Sequence, residues 1–371
     1  LYVTGRTLLG PRARFAAVTV ALLFAFSQTF WSQAVIAEVY TLNALILICI
    51  FYLLIRWERD GALWPVALCA GLGLTVHPLQ ALFFPGWIYF IYRSPRRANI
   101  DYEQIKKSIA VFAAALCLHF YPLLRSKANP PLDWGNPENL KNWIAYITAA
   151  QYRDRMFSVP FSTVLENAGQ GFRLLLNQLT PWLILLPIAG ATVLLKKQKR
   201  LFIVTLLPAV LTFLYAINYD IPWEIDVYYI PIVLVSTLWI LWLLSLIPQK
   251  FSYALPLLAA IPLILNFHHN DRSKNTIALD YGIDLLSTAP EKSALILPQT
   301  DAAFTVLYLT AAEQKRNDLS VWVYTDDGVR TLRDGVNPNV PSVPMERFLA
   351  EQKDVYLAQR VAAETVPGYD Q

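Results

Sequence analysis

The stretch "ALILICIFYLLI", residues 44–55, holds no charge and sits inside a longer apolar window, 35–57. A bilayer core about 30 Å thick is crossed by roughly 17–25 apolar residues in a helix. In lipid the backbone must also satisfy its own polar groups, which leaves helices or closed barrels. Composition extends the point to the whole chain: of 371 residues, 56% are hydrophobic and 16% charged, against about 25% charged in soluble domains. The sequence therefore predicts a mainly α, polytopic transmembrane helix bundle.

Nine windows meet the pattern: 15–30, 35–57, 63–77, 79–92, 105–124, 181–195, 201–217, 227–247 and 251–267. The third, fourth and sixth are short, and His77-Pro78 divides two of them. Charge distribution gives the expected orientation. With the first span running outward, Arg56, Arg59, Arg93, Arg96, Arg97 and the Lys196–Arg200 group fall on the inner side, while Glu38, Asp220, Glu224 and Asp226 fall outside. About nine spans is the expectation, in a transmembrane domain over 1–267 with a long outer loop at 126–180. In that loop Asn136-Pro137 is expected to open a short helix through Gln151, and residues 171–179 read as an interfacial helix. The tail, 268–371, alternates "SALILP", "TDAAFTVLYLTAAEQKR" and "LSVWVY", the order of a small α/β domain, expected outside the cytoplasm.

Cys49, Cys69 and Cys117 lie in apolar runs and read as small hydrophobic filler. The net charge of +4 and the absence of a dense Lys/Arg block exclude a nucleic-acid partner. No glycine-rich nucleotide loop, C-x-x-C, H-E-x-x-H or G-x-S-x-G is present, so redox, nucleotide-hydrolysing and zinc-protease classes have no support. The chain starts at Leu1 without a signal-peptide pattern and is expected to be a fragment.

In "FSQTFWSQAVIAEVYTLN", residues 26–43, a membrane segment breaks into polar residues around Glu38. Glu38 is expected in the first turn of the following helix, where the dipole favours an anion. Glu38, Asp226 and His77 are the candidate acid–base residues of the outer face; each has a plain alternative as a wet loop acid or a polar helix terminus. Arg125, Arg153 and Arg155 run against the positive-inside bias, and their planar forks suit phosphate oxygens. Head-group contact or a loop ion pair with Asp154 would place them there as well. His268-His269 is a weak metal signal.

The segments "LLFAFSQTFWSQAVIAEVYTLNAL", "GLGLTVHPLQALFFPG", "YPLLRSKANPPLDWGNPENLKNWIAYITAAQYR" and "NYDIPWEIDVYYIP" together resemble a family of multispanning membrane proteins, common in bacteria, whose animal member is transmembrane protein 260, a protein O-mannosyltransferase. The family is similar to C-type membrane glycosyltransferases. The resemblance implies sugar transfer from a polyprenyl-phosphate donor to a protein or glycan acceptor at the outer face of the inner membrane. It also implies a carboxylate base or a carboxylate-bound divalent metal ion to take the acceptor's proton. The family's acidic motif, similar to Asp-Ser-Gly-Glu, belongs to a first outer loop that would precede Leu1. Two other classes stay open at this point. A transporter or flippase of lipid-linked glycans predicts midplane charges and related halves, and neither is visible. A non-catalytic membrane scaffold with a binding tail is the third.

Overall fold

A computed structural model describes residues 1–130, 133, 135–179, 181–220, 225–297, 301–325, 328–331, 342–352 and 354–357. Glu224 lies outside the described residues. The chain divides into two compact units, Leu1–Leu118 with Tyr152–Arg272, and His119–Gln151 with Ser273–Gln371.

The first unit is a helix bundle around Ile230–Leu244, a helix of "IPIVLVSTLWILWLL" that is buried along nearly its whole length. A helix apolar on every side belongs either in a core or in lipid, and here the two uses separate. Over Ile225–Leu244, 78% of the most apolar window is buried in protein, whereas over Tyr102–Ser126 only 11% is. Gly190, in the helix Leu185–Lys197, allows the closest contact with the central helix. A Cβ there would stand 2.2 Å from the Trp239 carbonyl oxygen. Small residues at helix crossings serve this purpose in membrane bundles, where apolar burial drives association weakly.

Among the described residues five helices are long and apolar enough to cross a membrane: Tyr40–Arg59, Tyr102–Ser126, Lys199–Ile217, Ile225–Leu244 and Gln249–Asn270. A sixth is reached if the bent pair Pro11–Ala25 and Gln28–Ala34, at 70°, counts as one span. The expectation of nine spans is therefore not supported. Its weak members are Trp64–Val76 and Leu185–Lys197, of 13 residues each, and Phe84–Tyr92, of nine. At 1.5 Å per residue, 13 residues rise only about 20 Å, short of a hydrocarbon core. After His77, where the Trp64–Val76 helix ends, Pro78–Phe83 winds as a 3₁₀ helix before Phe84–Tyr92 begins. Hydropathy alone counted such fragments as complete spans.

The second unit carries a four-stranded mixed sheet, order β3-β2-β1-β4. β1 (Ala294–Leu297) pairs in parallel with β2 (Ser320–Thr325) and with β4 (Val355–Leu357), and β3 (Gly328–Thr331) pairs antiparallel to β2. All four residues of β1 are buried, as expected of a central parallel strand covered on both faces. Leu286, Val306 and Leu309 pack with Leu295 and Leu297 in one core cluster; Met345 and Phe348 pack with Ala294 and Ile296 in another. A fork closes the turn before β2: Arg316 donates to both Asp318 carboxylate oxygens at 2.9 and 3.0 Å and to the Pro290 carbonyl at 3.1 Å.

In the segment His119–Gln151 the expected short helix runs Leu140–Ile147. It starts later than Asn136-Pro137 because Asn139 is the cap, accepting from the Asn142 N–H at 2.9 Å. Trp143 stacks on Phe120 and donates to the His119 carbonyl at 2.6 Å. The expected interfacial helix is longer than read, Phe161–Gln178, and opens directly after Pro160.

Candidate functional site

One end of the first unit gathers basic side chains. Arg200 is ion-paired with Glu58 and donates to the Arg93 carbonyl at 3.4 Å. Arg96 donates to the carbonyls of Arg59 and Gly61 at 3.0 and 3.2 Å, and Arg59 reaches the Thr7 carbonyl. Four helix ends thus meet around basic side chains. The other ends of those helices carry aromatic and polar groups instead. Tyr40, at the start of Tyr40–Arg59, lies 5.5 Å from the His77 ring and 6.5 Å from Tyr228; Tyr228 also meets Tyr215 and Tyr219, at 5.9 and 5.5 Å.

His77 caps the 3₁₀ helix that follows it, its Nδ1 accepting from the Leu79 N–H at 3.1 Å. A neutral ring used this way carries its proton on Nε2, so His77 presents a donor there. Beneath it Gln80, wholly buried, donates to Asn43 Oδ1 at 2.7 Å.

Asp226 lies half-buried in the 3₁₀ helix Ile225–Tyr229. Its Oδ2 accepts from the Thr29 hydroxyl at 3.1 Å. Thr29 in turn accepts from Gln178 Nε2 at 2.7 Å, and its backbone N–H donates to Gln178 Oε1 at 3.0 Å. Both Thr29 and Gln178 are buried. This chain of bonds ties the bent N-terminal pair, the end of Phe161–Gln178 and the start of the central helix to one carboxylate. No spacing along the chain joins Thr29 and Gln178 to Asp226, since they are brought together only by packing.

Glu38 departs from expectation. It lies in the connection between Gln28–Ala34 and Tyr40–Arg59, two residues before the helix, among the exposed Val35, Ile36 and Val39. The first helical turn holds no acid, so the dipole argument does not apply to it. Glu38 shares its end of the bundle with Tyr40 and His77 through sequence adjacency to Tyr40.

The segment bearing Arg153 and Arg155 is fastened to that same end. The Asp220 N–H donates to the Arg155 carbonyl at 2.9 Å, the Phe157 N–H to the Asn218 carbonyl at 2.8 Å, and Met156 pairs antiparallel with Tyr219. Burial holds the Tyr219 phenol above its ordinary range, while its hydrogen bond with Tyr228 and the nearby Arg155 guanidinium act in the opposite direction. Arg125 is exposed in the helix Phe120–Ser126 of the second unit.

Beside the Arg155–Asp220 pairing opens a polar pocket of about 310 Å³, lined by Thr163, Glu166, Asn167, Gln170, Asp220 and Tyr229 among others. Asn167 donates to the Ile217 carbonyl at 3.1 Å and fixes the wall. Gly171 is required by close approach: a Cβ would stand 2.2 Å from the Tyr229 hydroxyl oxygen. Two carboxylates, two amides and the phenols of Tyr219 and Tyr229 in one hollow can accept from and donate to several hydroxyl groups at once. Glu166 carries no local signal in the sequence beyond its place in the outer loop 126–180. Among the described residues no three His, Cys, Asp or Glu side chains are grouped to hold a metal ion. His268 and His269 sit in the last turn of Ala260–Asn270 without such a group.

Fold and site together define a multi-pass membrane protein with an apolar bundle, a basic end, and an opposite end rich in tyrosine, carboxylate and amide groups. Residues 6–100 match the model of the protein O-mannosyl-transferase TMEM260 N-terminal domain, which relates this part of the chain to that family. The matched region includes Glu38 and His77 and stops before the pocket. No curated protein matches the chain, and no solved structure does.

Proposed function

We propose that the protein is a membrane glycosyltransferase of the O-mannosyltransferase type, moving a sugar from a polyprenyl-phosphate donor to a hydroxyl of a protein or glycan acceptor. The observation that supports the reading is the backbone pairing of the Arg155 segment with Asp220, a residue that also lines a hydroxyl-matching pocket. The relation of residues 6–100 to TMEM260 supplies the reaction class. The acceptor oxygen forms a bond to the anomeric carbon as the bond from that carbon to the donor phosphate oxygen breaks. The acceptor's proton passes to a carboxylate, for which Asp220 is the best-placed side chain. The polyprenyl phosphate leaves with its charge met by Arg155 and Arg153. Asp226, held by Thr29, and His77, held by Leu79, position the start of the central helix and the Tyr40–Tyr228 rings. Glu38 lies at the rim where an acceptor enters.

The tyrosine-rich end faces away from the cytoplasm, at the outer face of the inner membrane, and the C-terminal tail lies on that side. The positive-inside bias supports this placement, with the basic end on the cytoplasmic side. Lipid-phosphate donors suit it, because the leaving phosphate stays at the bilayer surface.

The test is sugar transfer from a polyprenyl-phosphate sugar by the full-length protein in vesicles. Asp220→Asn is expected to lower kcat by about 10²-fold or more, and Arg155→Ala to raise KM for the donor, with Arg155→Lys restoring part of the loss. Full activity in Asp220→Asn would remove Asp220 as the base, and absence of transfer by the wild-type protein would remove the reading.

A further inference from the structure

The helix Phe161–Gln178 has two working faces. Phe161, Leu165, Phe172 and Leu176 are exposed, at 75%, 60%, 59% and 38%. At about 100° per residue these four fall within about 60° of arc. Thr163, Glu166, Asn167, Gln170 and Gly171 fall on the half turned the other way and line the pocket. One flank is polar, with Ser162, Arg173 and Asn177 exposed; the other, with Val164, Ala168 and Leu175, is half-buried. The helix is not among those apolar enough to cross a membrane.

What covers the apolar stripe is indicated by its neighbours. Phe172 packs on Phe213 of Lys199–Ile217, ring centroids 5.0 Å apart. That helix is long and apolar enough to span a bilayer, and it leaves Val210 and Leu214 exposed close to the same packing. Leu185 and Ile188, exposed in the helix that follows, continue the apolar surface onward in the chain. The stripe is thus continuous in the fold with side chains whose only apolar solvent is lipid. A helix with one narrow exposed apolar face, a polar flank beside it and low overall hydrophobicity lies in the plane of the interface rather than across it.

We propose that Phe161–Gln178 lies in the lipid–water interface, with Phe161, Leu165, Phe172 and Leu176 in the acyl region and the polar pocket on its opposite face held at head-group level. The helix then serves as a sill: a prenyl chain stays in the bilayer on one side while the head it carries reaches the pocket past the other. The seating of the helix stands on the stripe alone; the role as a sill rests on the transferase reading.

The full chain, with Cys49, Cys69 and Cys117 replaced by alanine, would carry a nitroxide at single cysteines and be reconstituted in vesicles of phosphatidylethanolamine and phosphatidylglycerol. Collision with oxygen, which partitions into lipid, is compared with collision with a water-soluble nickel chelate. Labels at Phe172→Cys and Leu165→Cys are expected to give an oxygen-to-nickel ratio several-fold above labels at Ser162→Cys and Asn177→Cys. Equal ratios at all four positions would overturn the proposal by placing the stripe in water. Low access to both reagents with spin–spin broadening would overturn it too, by placing a second copy on the stripe. Leu165→Cys carries the test if Phe172→Cys does not fold, since Phe172 also packs on Phe213. No enzymatic activity enters the readout, so a failed transfer assay and a failed seating are separate results.

Discussion

Thr29 donates to Asp226 and accepts from Gln178, so one small side chain closes a buried polar network between three segments of the first unit. Buried polar groups are expensive to leave unpaired, about 1–3 kcal/mol each, whereas the net gain of a made bond is smaller. Thr29→Val keeps the volume and removes both hydroxyl bonds, leaving Gln178 and Asp226 short of a partner. The expected outcome is a loss of about 1–3 kcal/mol, read by denaturant unfolding of the purified protein in micelles, with Thr29→Ser close to wild type. Equal stability in Thr29→Val would mean that the network does not hold this end of the bundle. The sequence marked Asp226 as a boundary acid; its partner Thr29 lies 197 positions away, and no local pattern could name it. Asn43 likewise looked like part of a polar rim, yet its side chain accepts from Gln80 in the interior.

Among elements, the second unit's sheet depends on how the chain turns from its helices into β2. Asp318 accepts both arms of the Arg316 fork and the Lys292 N–H at 3.1 Å. These bonds hold its carboxyl well below the usual carboxylate range, with the Arg316 hydrogen bond the main cause and the Lys292 N–H next. A group whose folded-state pKa is depressed stabilises the fold above its unfolded value, about 3.9, and that stability is lost as pH falls toward the folded value. The thermal midpoint of the wild-type second-unit transition should therefore fall between about pH 4 and the folded-state value. Asp318→Asn should start lower near neutrality and be flatter in acid, the two profiles converging at low pH. Parallel profiles would remove the assignment. The strand–helix–strand order was readable from alternating hydropathy and turn residues; the parallel pairing of β4 beside β1 was not, because β4 is only three residues long.

At the scale of the whole molecule, the meeting of Glu58, Arg59, Arg93, Arg96 and Arg200 at one end of the bundle is the structural counterpart of the charge bias along the sequence. It predicts a definite two-sidedness. A cysteine introduced at Gln198 and one at Glu38, each in an otherwise cysteine-free chain, should react with a membrane-impermeant maleimide from opposite sides: Gln198→Cys only after the cytoplasmic face is exposed, Glu38→Cys in intact cells. Labelling of both from the same side would remove the orientation and with it the outer-face site.

Composition and the length of the apolar runs determined by themselves that this chain belongs in a membrane, because no other solvent takes so many uncharged residues. They also fixed which ends of the helices are basic. Tertiary packing decided how many of those runs are whole spans, since a 13-residue helix and a 20-residue helix look alike to hydropathy until a 3₁₀ turn or a 70° bend divides them. It decided, too, that the backbone at Arg155 pairs with that at Asp220 and that Glu166 lines a hollow. Those pairings join residues far apart in the chain through backbone bonds and close helix contacts, and no spacing in the sequence records them.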